Sequence, residues 1–256
     1  CTLYPFDNTW FDSSYMIRKI YKNLAFLIAS TGNSLVLLPL FRLFKNRYPC
    51  YAIPGVDICI EGFPRSGNSF FVATFQQWNP GITIAHHSHL ASNAKYSVKQ
   101  NKPTVILIRE PAEAISSAIA WDGKDARIVP GVGLISYLSF YRSLNKYRQK
   151  ILFLDFHEAV NQPDQCIERI NRRFGTDFSA VEFSSEESTR LRNVIARQDK
   201  IENRSELNSS LPNERKGQLK KAIVPKITSH SLFTRVQTLY DEYIAIASEH
   251  KDPNID

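Results

Sequence analysis

The chain has 256 residues, 43% of them hydrophobic and 22% charged. That composition excludes global disorder and supplies enough apolar side chain for a sizeable core. Its 32 Lys and Arg outnumber 25 Asp and Glu, a net charge of +7 that points to anionic partners: nucleotide phosphates, nucleic acid, acidic glycans or anionic lipid.

The first residue is cysteine, as in a processed or engineered product. Residues 1–23 are aromatic and mixed in charge, with Tyr4, Phe6, Trp10, Phe11 and Tyr15 ahead of Arg18, Lys19 and Lys22. An apolar segment follows from Leu24 to Phe44, but Ser30-Thr31-Gly32-Asn33-Ser34 breaks its centre and Pro39 its end. A spanning helix needs about 20 predominantly apolar residues. Two short amphipathic helices are therefore expected in an N-terminal extension over 1–50, packed on the domain or lying at a membrane surface. The same region could form an acceptor wall or a homodimer face. The four cysteines, Cys1, Cys50, Cys59 and Cys166, contain no C-x-x-C pair. This argues against a disulfide framework or a zinc site and favours a reducing compartment, the cytoplasm, with membrane association through 24–44 left open.

From Val56 onward strands and helices alternate. The expected strands are Val56–Glu61, Ile82–Ala85, Thr104–Ile108 and Ile151–Leu154, and the helices between them Ser69–Trp78, Ala91–Gln100, Ala112–Trp121 and Leu134–Arg148. Runs such as Val105-Ile106-Leu107-Ile108, apolar at every position, suit strands buried on both faces of a parallel sheet. The pattern predicts an α/β fold: three α/β/α layers about a central parallel sheet, in one domain spanning 1–256. Pro130-Gly131-Val132-Gly133 reads as a loop. Gln162 to Phe174 reads as a helix stopped at Gly175, and Glu186–Arg197 and Ser231–Glu249 as two more. A flexible basic loop is expected around Ser209–Gly217.

The chemistry gathers at the expected carboxyl ends of the strands, where open parallel sheets bind ligands. After the first strand, Gly62-Phe63-Pro64-Arg65-Ser66-Gly67-Asn68-Ser69 has the spacing of a nucleotide P-loop, but Asn68 stands at the lysine position and the nearest cation is Arg65. A strand, tight loop and helix aim backbone N–H groups and the helix dipole at one point, which favours a phosphate. After the second strand come His86-His87-Ser88-His89. Imidazole suits proton transfer near neutrality, so a general base is one reading, with structural histidines or a His87/His89 metal pair as the others. After the third strand, Arg109 and the helix serines Ser116 and Ser117 could converge on one phosphate, the guanidinium as a bidentate fork and the hydroxyl as a further donor. A surface ion pair with helix-lining serines is the bland reading. Late in the chain Arg215-Lys216-Gly217 concentrates cations around a glycine, either as a solvated face or as a loop over a bound polyanion.

These pieces, in this order over roughly residues 56–220, resemble the P-loop-like sulfotransferases that use 3′-phosphoadenosine 5′-phosphosulfate (PAPS). Phe63 to Phe70 is similar to that family's 5′-phosphosulfate loop. Arg109 with Ser117 eight positions later resembles its 3′-phosphate element, and Arg215-Lys216-Gly217 its late Arg-Lys-Gly element. His89 before Leu90 resembles its general base. Where soluble small-molecule members carry lysines, this chain has Arg65 and His87.

The resemblance implies that Arg65, Ser66, Gly67, Asn68 and Ser69 hold the 5′ group. Arg109, Ser117, Arg215, Lys216 and Gly217 would hold the 3′-phosphate. His89 would deprotonate an attacking hydroxyl or amine while Arg65 stabilises the leaving phosphate. It further implies PAPS as donor, PAP as product, no metal, no nucleic-acid partner, and a small-molecule, lipid or glycan acceptor. Two other classes remain open: a P-loop small-molecule or nucleoside kinase, with Asp155 ending an apolar strand as a magnesium support, and a non-enzymatic polyanion-binding protein.

Overall fold

The computed structural model describes residues 51–52, 54–121, 128–201, 204–205, 209 and 211–249. The expectations for residues 1–50, including the 24–44 segment, Cys1 and Cys50, lie outside these residues. The apolar runs form four parallel strands: β1 (Ile58–Gly62), β2 (Ile84–His86), β3 (Thr104–Ile108) and β4 (Leu152–Asp155). Their order across the sheet is β2-β1-β3-β4. The register pairs Ile58 with Ile84, Cys59 with Thr104, and Val105 with Leu152.

Period-two alternation sends successive side chains to opposite faces, and two main cores result, with a small cluster of Ala52, Val56, Cys59 and Ala85 beside them. On one face Ile58, Ile60, Val105, Leu107, Leu152 and Leu154 pack under α1 (Asn68–Trp78), α5 (Phe156–Asn161), α6 (Pro163–Phe174) and α7 (Ser185–Ile201). On the other, Ile106, Ile108 and Phe153 meet the remaining helices. These are α2 (Ala91–Lys99), α3 (Pro111–Trp121), α4 (Pro130–Leu144), α8 (Glu214–Thr228) and α9 (Phe233–Glu249). This is the expected three-layer α/β/α arrangement. Helix α1 shows why such a segment docks: Phe71, Val72, Phe75 and Trp78 recur at helical spacing and are all buried, each such side chain contributing about 1.5–3 kcal/mol. Helix α6 ends, as expected, at Gly175 with φ of 62°.

Two expectations are corrected. Pro130-Gly131-Val132-Gly133 is not a loop but the first turn of α4, with Pro130 at its start, where a missing N–H costs nothing. Gly133 serves close packing: a Cβ there would lie 2.6 Å from Ile115 Cγ2 of α3. The helix also ends earlier than Arg148, passing into a 3₁₀ turn over Asn145–Lys150. The second correction is Arg215-Lys216-Gly217, which is no flexible loop. It lies in the first turn of α8, capped by Asn213, whose side-chain oxygen accepts from the Lys216 N–H at 2.9 Å.

Among the described residues no helix is long and apolar enough to cross a membrane. Cys59 and Cys166 are buried free thiols.

Candidate active site

The chain leaves β1 for α1 on one face of the sheet and leaves the neighbouring β3 for α3 on the other, so a crevice opens beyond the carboxyl ends of β1 and β3. A cavity of about 570 Å³ occupies that crevice, a size in the range of small-ligand sites.

The loop from Phe63 to Gly67 forms its floor. The Ser66 N–H donates to Phe63 O at 3.2 Å, closing a tight turn. Arg65 takes a left-handed conformation with φ of 69°, at a cost of about 1–2 kcal/mol for a residue with a Cβ. Gly67 sits at φ +94° beneath Phe156, whose Cδ2 would be 2.9 Å from any Cβ at that position. Helix α1 begins at Asn68, and the N–H groups of Gly67, Asn68 and Ser69 find no acceptor among the described residues. Three unsatisfied donors at the positive end of a helix dipole make an anion site. Asn68 donates its amide to Phe63 O at 3.3 Å, while its Oδ1 is buried without a partner among the described residues. Ser66 is fully buried beneath the loop and its side chain does not line the cavity.

Cations surround this floor. Arg109, at the end of β3, donates to the Arg65 carbonyl at 2.8 Å and pairs with Glu113 at 3.2 Å. Its guanidinium lies 4.0 Å above the Phe156 ring. Arg65 Nε donates to Ser117 Oγ at 3.3 Å. The loop after β1, the loop after β3 and α3 are thus tied together by the residues expected to grip phosphate.

From α8, Lys216 is buried and donates to Leu211 O at 3.0 Å and to Ser209 O, while Lys220 pairs with Glu113. Gly217 lines the cavity; Arg215 is exposed and outside the lining. Two further cations, missed in the sequence, also line it: Arg192 of α7, and Arg204, paired with Asp199 at 3.1 Å. The described lining therefore holds six cationic side chains (Arg65, Arg109, Arg192, Arg204, Lys216, Lys220) and no carboxylate.

The electrostatic consequence is visible at Arg65. Burial, then the charges of Arg109 and Arg204, push its guanidinium down to about 10. Arg109 is likewise lowered, chiefly by burial, against the opposing pull of Glu113 and Glu110. At Glu113 burial acts upward, but Lys220 and Arg109 outweigh it and hold the carboxyl below its ordinary value. Crowded, desolvated cations of this kind are relieved by a bound anion.

The histidines stand on the opposite wall, after β2. His87 Nε2 lies 3.0 Å from Ser69 Oγ. Burial, followed by the charges of His89, His86, Arg204 and Arg65, drives the His87 ring down to about 2, so it is neutral at physiological pH. His89 also lines the cavity, with Nδ1 2.9 Å from Gly62 O. A carbonyl only accepts, so Nδ1 carries a proton, and in the neutral ring the lone pair is then on Nε2. That is the tautomer a general base requires. Among the described residues no group of three or more His, Cys, Asp and Glu could hold a metal ion.

Asp155, at the end of β4, is turned to another task. Its Oδ1 accepts from the His157 and Glu158 N–H groups at 2.8 and 3.4 Å, capping α5.

No family model matches the chain, and no curated protein matches it in sequence. Among solved structures it is similar to mouse sulfotransferase SULT7A1 complexed with PAP, at 14% identity and a TM-score of 0.44, over 83% of this chain and 90% of that one. A likeness this low carries no argument about function.

Proposed function

We propose that this protein is a sulfotransferase that moves a sulfuryl group from PAPS to a hydroxyl or amine acceptor. The observation that carries the reading is the cavity wall. A strand-loop-helix anion cradle, a second cationic grip and a histidine whose Nδ1 is turned to the Gly62 carbonyl face one space that no described carboxylate enters. The residues fit such a donor, whose anionic groups lie at two separated places. Arg65, Gly67, Asn68 and Ser69 would hold the 5′-phosphosulfate with loop amides and a guanidinium. Arg109, Ser117, Lys216 and Gly217 would hold the 3′-phosphate, with Lys220 beside them. Ser66 would act by closing the loop, and Arg215 from the rim of the same grip.

When bound, the donor supplies a sulfur open to in-line attack, the acceptor–sulfur bond forming as the sulfur–phosphate oxygen bond breaks. His89 Nε2 takes the proton released by the acceptor. Arg65 and the free amides of Gly67, Asn68 and Ser69 meet the negative charge that grows on the departing phosphate. Arg65 stays protonated throughout, so it contributes charge and no proton.

The kinase reading would use a carboxylate near the phosphates to support magnesium, and its candidate, Asp155, caps α5 and does not line the cavity. The polyanion-binding reading would suit cations spread along a surface, whereas six of them here converge on one pocket. The test is transfer from PAPS carrying a radiolabelled sulfuryl group, screened over phenols, glycans and lipids. Labelled product that disappears in His89→Ala supports the reading. Absence of transfer to every acceptor class, with phosphoryl transfer from Mg-ATP instead, would sink it.

A further inference from the structure

The fold spends a buried carboxylate on holding the histidine turn. Glu61 is the penultimate residue of β1, directly after the apolar Ile58-Cys59-Ile60, with no solvent exposure at all. Its Oε1 accepts from the Ser88 N–H at 2.9 Å, the Ser88 hydroxyl at 2.5 Å and the Asn93 side-chain amide at 2.9 Å, and its Oε2 from the His89 N–H at 3.0 Å. Four donors and no acceptor surround the group, an arrangement that suits an ionised carboxylate, which only accepts.

The turn needs such an anchor. His87 and His89, on either side of Ser88, both have left-handed backbone, with φ of 57° and 54°. Side chains with a Cβ rarely adopt that conformation unless the surroundings fix it. Asn93 carries the anchor onward: its Oδ1 also accepts from the Ala52 N–H at 2.7 Å, so the carboxylate links β1, the turn and the first residues of α2.

We infer that Glu61 is a positioning residue for His89, fixing the turn so that the ring meets Gly62 O through Nδ1 and presents Nε2 as the base. Two consecutive residues of β1 then register one histidine, Glu61 through its backbone N–H and Gly62 through its ring. The strand that delivers the anion cradle thereby also fixes the base against it. Removing the carboxylate frees the turn and lets the ring leave Gly62 O, with no direct loss of any cation in the phosphate grip. The catalytic part of this inference rests on the sulfuryl-transfer reading; the hold on His89 does not.

The test is Glu61→Gln, which keeps the shape and turns one acceptor into a donor facing donors. Histidine ring ¹⁵N spectra of the ligand-free protein should show His89 as the Nδ1–H tautomer in the parent and as a mixture of tautomers in the variant. PAP affinity should change less than twofold, while conversion of PAPS to PAP falls at least tenfold with KM for PAPS unchanged. Glu61→Gln with a parental His89 ring spectrum overturns the inference, and so does full turnover in that variant. If Glu61→Gln does not fold, Ser88→Ala is the second variant. It deletes one donor to Glu61 and the Ser88 Oγ contact with the Leu90 N–H at 3.2 Å, and should give a smaller tautomer shift in the same direction; no shift there overturns the inference too. A parent protein without PAP affinity would defeat the sulfotransferase reading alone, since the ring spectra still decide the role of Glu61.

Discussion

Replacing Arg109 by alanine removes three interactions at once. One guanidinium nitrogen holds the Arg65 carbonyl at 2.8 Å, another pairs with Glu113 at 3.2 Å, and the plane stacks on Phe156 at 4.0 Å. The side chain is only 15% exposed while Glu113 is 44% exposed, so solvent screens the ion pair and its own contribution is small. The contact with the Arg65 carbonyl is the better protected one, and it shapes the loop whose N–H groups would bind the 5′ phosphate. Losing a hydrogen bond from a charged group costs about 1.5–3 kcal/mol, which corresponds to roughly 10- to 150-fold in Kd. Calorimetric titration of Arg109→Ala with PAP should show a loss in that range. Arg109→Lys should recover only part of it, because one ammonium cannot reach both the carbonyl and Glu113 from a fixed fork. PAP affinity within twofold of the parent in Arg109→Ala would refute the reasoning that this residue organises the grip.

Other outcomes follow from the same geometry. His89→Ala should abolish sulfuryl transfer and leave PAP affinity within about twofold, since its proposed role is to accept the acceptor's proton while the loop amides and the arginines hold phosphate; a matching fall in affinity would show that it binds the nucleotide. Gly67→Ala forces a Cβ to 2.9 Å from Phe156 at φ +94°. Strain of about 1–2 kcal/mol from the backbone alone should lower both Tm and PAP affinity, and unchanged values would contradict the tight loop. Asp155→Ala removes the cap of α5 and should destabilise by about 0.5–2 kcal/mol in urea unfolding without altering PAP affinity; loss of nucleotide binding would revive the kinase reading. His87 is depressed to about 2 in the folded state, so between that value and about 6.5 the unfolded chain binds the extra proton. Stability then falls as pH drops through 6.5. From pH 7.5 to 5.5 this one group should cost about 1.4 kcal/mol, and His87→Gln should flatten that part of the unfolding profile. Identical profiles would remove the assignment.

Much of the fold and of the site is legible in the sequence. Thr104–Ile108 was readable to the residue because four of its five side chains are β-branched and Val105–Ile108 are apolar at every position, as a strand buried on both faces requires, and the Gly62 to Ser69 spacing located the cradle. Elements misread were those where glycine had two meanings. Gly133 looks like a breaker, yet it lets α4 approach Ile115, a contact that exists only in three dimensions. Asn213, Glu214 and Lys216 form a capped helix start that the charge of the segment obscured. Arg192 and Arg204 had no readable signal, because a cation on a polar helix or loop gains meaning only when folding brings it to a cavity. Glu61 did have one: an acid inside an apolar strand is costly to bury unless donors wait for it.

The central claim, a two-place grip for a 3′,5′-bisphosphorylated adenosine, is tested most directly by titrating the parent protein with PAP in the absence of divalent metal and, separately, with Mg-ATP. The account predicts that PAP binds without metal and more tightly than Mg-ATP, with affinity falling in Arg65→Ala as well as in Arg109→Ala. Binding of Mg-ATP with no affinity for PAP would contradict it.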